Sequence, residues 1–256
     1  MTWATTRRLA TLSRSIRLLR SFPLEQADPP RFYRPLAEDT ASLVASLLAD
    51  AGAQELRGAR VLDVGGGPGY FLDAFTNKGA WYVGLEPDAG EMSAAGITVA
   101  TAVRGSGTAL PFADGAFDVT YSSNVAEHVP DFERLGDEMV RVTRPGGLVV
   151  LSYTVWLGPF GGHETGVWPH YVGGDFARRR YERRNGRPPK NVWSESLFDV
   201  SCADGLAWAR SLKRRGLADV KLCFPRYHPW WAWWIVRVPV LREFLTSNLV
   251  VVAQVR

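Results

Sequence analysis

The chain has 256 residues, 46% hydrophobic and 22% charged, with a formal net charge of +4 at pH 7. That length can bury the core of an α/β enzyme domain, and the composition excludes a disordered or fibrous chain. No apolar run reaches the roughly eighteen residues of a membrane span, and a small net charge with no RNA-binding appendage argues against a nucleic-acid partner.

Taken in order, residues 1–53 begin with Arg7, Arg8, Arg14, Arg17 and Arg20 interleaved with Leu9, Leu12, Ile16, Leu18 and Leu19 at helical spacing. No compact apolar segment or small-residue cleavage site follows, which argues against a signal peptide. Pro23 and Pro29–Pro30 interrupt, and a second helix is expected from about Ala37 to Ala51. Residues 54–155 alternate strand and helix, with strands at about 60–64, 81–85, 117–122 and 147–153 and one more around 98–104. Residues 156–193 hold Gly158-Pro159, Gly161-Gly162, Gly173-Gly174 and Pro188-Pro189, which predicts an inserted lid of loops and short helices. A helix near 194–215, a strand near 218–226, an aromatic-rich helix near 230–245 and a last strand from Asn248 to Val255 complete the chain. Cys202 and Cys223 are too few for a disulfide framework and lack metal-ligand spacing, so a reducing, cytoplasmic setting is expected.

The most informative stretch runs from Val61 to Phe71. Apolar Val61, Leu62 and Val64 make a short buried strand that breaks into Gly65-Gly66-Gly67-Pro68-Gly69 and then enters a helix. Glycine permits positive φ and lets the backbone approach a ligand with no Cβ in the way. The first helical N–H groups lack internal partners and favour the polar or anionic part of a bound molecule. The next apolar run, Trp81 to Leu85, ends in Glu86, whose carboxylate is placed to accept both hydroxyls of a ribose.

The glycine spacing separates two cofactor classes. A dinucleotide fingerprint requires G-x-G-x-x-G. From Gly65 the pattern is G-x-G-x-G, and from Gly67 the third position is Leu72, so the nicotinamide reading is the weaker one. With this loop the chain resembles the class I S-adenosylmethionine-dependent methyltransferases, whose first motif has the form hh(D/E)hGxGxG ahead of a strand ending in Asp or Glu. Gly105 to Val119 is similar to the family's approach to its fourth strand. Ser122 to Val129 is similar to the post-strand segment of the small-molecule and quinone-type subgroup, and Arg144 to Leu151 to the turn into the fifth strand. The resemblance spans residues 55–155.

It implies an α/β fold: a Rossmann-like, doubly wound seven-stranded sheet of order 3-2-1-4-5-7-6, last strand antiparallel, with helices on both faces and a lid insertion. The implied division is an N-terminal helical segment (1–53), a cofactor-binding core (54–155), the lid (156–193) and a C-terminal part of the same domain (194–256). S-adenosyl-L-methionine is the implied cofactor and S-adenosyl-L-homocysteine the product. Gly65, Gly66, Gly67, Gly69, Tyr70 and Phe71 are then expected around its amino-acid end, with Asp63 tying down this loop or meeting the cofactor's amino group, Glu86 at the ribose and Pro87 bordering the adenine. Ser106 and Gly107 stand at the adenine amino group and Asn124 near the sulfonium. Many relatives carry Asp where Ser106 stands, so the resemblance implies a weaker adenine anchor here.

Methyl transfer demands alignment and, for a hydroxyl acceptor, removal of a proton. Of the four histidines, His163 is the first candidate base and His128 the second, with Glu164 placed to orient or replace His163; a structural histidine fits either position about as well. No metal is expected, because His163-Glu164 with His170 matches no ligand spacing and Glu127-His128 recurs in metal-free relatives. Seven cations between Arg178 and Lys190 read as a solvated face or as a site for an anionic glycan or lipid. Trp230, Trp231, Trp233 and Trp234 exceed ordinary core need and suit a carbohydrate or a bilayer interface. The expected reaction is methyl transfer to a small-molecule, glycan or lipid-linked acceptor, at oxygen. Carbon methylation of a quinone-like ring and a catalytically silent cofactor-binding regulator are the alternatives. Peripheral contact with the inner face of the membrane is a minor expectation.

Overall fold

A computed structural model describes residues 2–256 apart from Pro23, Gln54, Thr98 and the side chain of Gln26. The N-terminal segment forms α1 (Ala4–Leu9), α2 (Leu12–Ser21), the single turn α3 (Leu24–Ala27) and the long α4 (Pro29–Ala51). α4 starts well before Ala37. Asp28 caps it by accepting the Arg31 amide at 3.3 Å, and Pro29 and Pro30 occupy the first turn, where no intrahelical N–H is missed. The prolines that read as an interruption therefore open the helix, and Gly52 closes it at φ 65°.

β1 (Arg60–Val64), α5 (Leu72–Thr76), β2 (Trp81–Glu86), α6 (Ala89–Ser93), β3 (Ala102–Arg104), β4 (Phe117–Ser123), α7 (Phe132–Val142) and β5 (Thr143–Thr154) alternate as the apolar runs predict. Of the strand expected around 98–104, residues 102–104 pair with β2, and Thr98 lies outside the described residues. The lid carries a regular helix, α8 (Gly174–Asn185), between irregular stretches. α9 (Cys202–Arg214) begins at a Ser201–Asp204 capping box rather than near 194. β6 (Ala218–Pro225), a 3₁₀ turn over Trp230–Arg237, α10 (Leu241–Leu245) and β7 (Asn248–Val255) follow. The aromatic helix expected over 230–245 is thus split, because Pro239 offers no amide and Val240 sits at φ 68°.

All seven strands form one sheet of order β3-β2-β1-β4-β5-β7-β6, with β1 to β5 parallel and β7 antiparallel to both neighbours. Successive side chains enter opposite layers. Val61, Tyr121 and Val150 pack with Leu43, Leu47 and Phe75 from α4 and α5, whereas Leu62, Val149 and Leu151 pack with Leu135 and Met139 from α7 and Trp208 from α9. Burial on both faces explains why the central strands read as continuous apolar runs.

A buried polar node joins the N-terminal segment to this sheet. Arg14 and Asp39, both 3% exposed, form a bidentate pair at 2.6 and 2.7 Å. Arg14 also donates to the Arg226 carbonyl at 3.0 Å. The Arg226 guanidinium, in turn, reaches Thr40 on α4 and Ser123 on β4.

Candidate active site

Every parallel strand points its C-terminal end to one edge, where the crevice of a doubly wound sheet lies. β1 runs there into the glycine turn. Gly65 sits at φ 85°, and a Cβ on it would collide with Val125; Gly67, at φ 51°, faces open space. The Gly65 and Gly66 amides donate to the Leu85 carbonyl at 2.8 and 3.0 Å, tying the turn to β2. Glu86, at the end of β2, accepts the Gly67 amide through Oε2 at 3.1 Å and the Asp88 amide through Oε1 at 3.2 Å. Partial burial holds its carboxyl above the usual carboxylate range. Gly66, Gly67, Gly69, Glu86, Met92 and Val99 line the cleft. A bare left-handed glycine, a half-buried carboxylate with two accepting oxygens and apolar walls are the groups that could hold an adenosine-bearing ligand with a polar tail.

The other donor-side residues divide between cleft and support. Asp63 braces the turn from beneath: it accepts the Tyr82 hydroxyl at 2.6 Å and lies under Gly66. Burial pushes its carboxyl up to about 7. Tyr70 stacks on Tyr33 of α4 at 5.2 Å, whereas Phe71 packs toward Tyr121 and the core. Pro87 is exposed at the rim. Ser106 is exposed and shares a 2.9 Å hydrogen bond with Thr108, and Gly107 fits a narrow space against Leu135 and Val64. Asn124, at φ 58°, donates its amide to Ser152 at 2.8 Å and accepts the Asn248 side chain at 2.7 Å.

The lid brings the expected acid–base residues together. β4 leads into a 3₁₀ turn, Ala126–His128, and one donor atom each from Glu127, His128 and His163 lies within 4.8 Å of the other two. Glu127 is 1% exposed; its Oε1 accepts the Thr154 amide at 2.9 Å and its Oε2 is buried with no partner. His128 Nδ1 lies 2.7 Å from the Ser196 carbonyl. A carbonyl only accepts, so Nδ1 carries the hydrogen and Nε2 bears the lone pair of the neutral ring. His163 sits at φ 46° with Nε2 buried and unpartnered; burial, reinforced by His128 and His170, pushes its pKa down to about 3. Glu164 accepts the Asn191 amide nitrogen at 2.7 Å through Oε1 and leaves Oε2 buried without a partner. A carboxylate and two imidazoles form a donor set that a divalent cation also takes. Spacing along the chain could not show this grouping, because the lid supplies His163.

Two residues not singled out from sequence join the cluster. Tyr33 of α4 donates its hydroxyl to Glu25 of α3 at 3.1 Å. Burial raises the Glu25 carboxyl, and the nearby charges of Glu164 and Glu127 add to the effect. Phe22, between α2 and α3, stacks on Phe160 of the lid at 4.4 Å, so both flanks of the cleft meet there. The one cue in the sequence is that Glu25 ends a long acid-free stretch. His170 is committed elsewhere: its Nε2 donates to the Gly158 carbonyl at 3.1 Å inside the lid.

Comparison with known proteins agrees with this fold. Residues 62–151 match a family model described as a methyltransferase domain. An uncharacterized methyltransferase of Mycobacterium avium (strain 104) is 59% identical over 251 residues, covering 96% of this chain and 97% of the relative. One from Mycolicibacterium gilvum (strain PYR-GCK) is 60% identical over 247 residues, covering 95% and 94%. The crystal structure of an S-adenosylmethionine-dependent methyltransferase from Mesorhizobium loti shares the fold, with a TM-score of 0.53, 23% identity and coverage of 84% of this chain and 97% of that one.

Proposed function

The chain belongs to the class I methyltransferase family of these relatives, and on that premise we propose that it methylates a hydroxyl of a small-molecule, glycan or lipid-linked acceptor, using S-adenosylmethionine as donor and His128 as general base. When bound, that cofactor supplies a methyl group already activated on a sulfonium. The glycine turn and Glu86 hold it at the sheet edge, with Asp63 fixing the turn from below.

The observation that carries the oxygen reading is the group of buried polar atoms left without partners, Glu127 Oε2, His163 Nε2 and Glu164 Oε2, beside His128. Each unsatisfied buried group costs about 1–3 kcal/mol. A polar acceptor bearing hydroxyls offsets that cost and is oriented by the same bonds. The acceptor proton passes to His128 Nε2, while the Ser196 carbonyl holds the ring and the Glu127 carboxylate stabilises the charge that develops. His163 stays neutral and serves as a hydrogen-bond acceptor, which moves first place among the bases from His163 to His128. Glu25, Tyr33 and Tyr70 border the acceptor on the side of the N-terminal helices.

The test is transfer of labelled methyl groups into lipid, glycan and metabolite fractions by the wild-type protein and by His128→Ala and His163→Ala. Loss of the base is expected to lower turnover by about 10²–10⁴ for His128→Ala, with S-adenosylhomocysteine affinity unchanged. Undiminished turnover by His128→Ala rejects the base. Label on ring carbon rejects oxygen as the methylated atom, and label confined to nucleic acid or protein rejects the acceptor class.

A further inference from the structure

The exposed apolar residues of this protein are not scattered. Among the described residues, every strongly exposed large apolar side chain other than Trp81 and Leu217 belongs to α2, to lid residues 167–172, to the Trp230–Arg237 turn or to segment 240–245. These stretches adjoin one another. The Trp230 amide donates to the Ala10 carbonyl, between α1 and α2, at 2.9 Å, and the Arg7 guanidinium lies 5.6 Å over the Trp230 ring. On the far side, Tyr171 of the lid meets Phe244 of α10 at 6.0 Å.

Core packing does not account for this face. Of the four tryptophans in the 3₁₀ turn, Trp233 turns inward onto Phe224 at 4.4 Å, whereas Trp231 and Trp234 are 58% and 52% exposed. Val240, 66% exposed, is held at φ 68°, a conformation that a β-branched residue rarely adopts. The exposed charge beside the ridge is basic, because Glu243, the acid within segment 240–245, turns inward to accept the Cys202 and Ala203 amides at 2.7 and 3.0 Å. Residues 1–24 and 220–242 contain no Asp or Glu, while Arg7, Arg8, Arg17, Arg20 and Arg237 are exposed.

We propose that this face docks on a lipid bilayer with anionic headgroups. The indoles and the tip at Val240 enter the headgroup region, where an amphipathic ring satisfies both its apolar body and its N–H. The arginines meet lipid phosphates while their stems cover apolar surface. No helix among the described residues is long and apolar enough to cross a membrane, so the contact is at the surface. A second copy is a poorer occupant: a two-fold interface sets the same patch against itself and opposes like-charged arginines. The face is separate from the proton-transfer groups and does not depend on their roles.

Flotation of the full chain with vesicles of phosphatidylcholine, and of equal parts phosphatidylcholine and phosphatidylglycerol, tests this directly. Binding is expected on the anionic vesicles, with a blue shift of tryptophan fluorescence. Trp231→Ser/Trp234→Ser and, separately, Arg17→Glu/Arg20→Glu are each expected to weaken it by about tenfold or more. Both variants should keep the wild-type melting temperature and S-adenosylhomocysteine affinity, which separates lost docking from lost folding. Failure of the wild-type chain to float with anionic vesicles overturns the proposal. So does undiminished binding by both variants, or a dimer in sedimentation that the tryptophan variant dissolves.

Discussion

Replacing Glu86 with glutamine is nearly isosteric, and the bonding of the carboxylate predicts what the change costs. Oε1 accepts the Asp88 amide at 3.2 Å and Oε2 accepts the Gly67 amide at 3.1 Å, so each oxygen already faces a donor. A carboxamide retains one oxygen. Whichever way it turns, its NH₂ opposes a backbone N–H, and one accepting oxygen is lost to the ribose as well. A hydrogen bond to a charged acceptor contributes about 1.5–3 kcal/mol. At ~1.4 kcal/mol per decade this becomes a loss of about 10- to 150-fold in affinity. Titration calorimetry with S-adenosylhomocysteine reads the difference, and circular dichroism shows that the fold is retained. An affinity for Glu86→Gln within about threefold of wild type, less than ~1 kcal/mol, refutes the assignment of Glu86 to the ribose.

Asp63, whose carboxyl burial raises to about 7, makes a contribution to stability that is fully present in acid and is lost as pH rises through that value. Asp63→Asn removes the titration, so urea unfolding between pH 5 and pH 8 should show a smaller fall than in wild type; an equal fall contradicts the burial argument. Arg14→Met leaves the Asp39 carboxylate buried and unpaired, which costs about 3–5 kcal/mol and lowers the melting temperature by ~10 °C. Adding Asp39→Leu should recover most of that loss, and a double variant no more stable than the single one defeats the prediction. Gly65→Ala should lower the melting temperature more than Gly52→Ala: both glycines have positive φ, but only at Gly65 does the added methyl also meet Val125. Equal losses at the two sites would show that the Val125 contact is immaterial.

The proposed donor half of the site is legible in the sequence because its parts are local. The turn from Gly65 to Gly69 and the acid at Glu86 lie on adjacent parallel strands, and each is marked by an apolar run that ends in a polar or flexible residue. Sheet order is different: periodicity locates strands but says nothing of which neighbour each one takes, and the resemblance to a family supplied it. The proposed acceptor side draws on α3, α4, the turn after β4 and the lid. Glu25, Tyr33, Glu127 and His163 converge through tertiary packing that leaves no spacing to read. Helix limits failed where proline has two meanings, since Pro29–Pro30 open α4 whereas Pro239 ends the aromatic segment. The tryptophans at 230–234 were countable, but which of them face outward depends on a 3₁₀ turn, whose side-chain directions the α-helical period does not describe.

The node at Arg226 bears on how this enzyme can diversify. Arg14, Asp39 and Thr40 belong to the N-terminal helices, Ser123 ends β4 and Arg226 follows β6; the Arg14–Asp39 pair is complete within the helices, and the contacts that cross to the sheet all pass through Arg226. Transplanting residues 1–53 from a distant homologue would carry that ion pair along as a unit but would take the Thr40 acceptor from the buried Arg226 guanidinium unless a hydroxyl stood in the same place. Exchange of that segment is therefore constrained at one point, the hydroxyl that faces Arg226. Glu25 and Tyr33, which bond to each other, stand outside the node, so substitution there leaves it untouched.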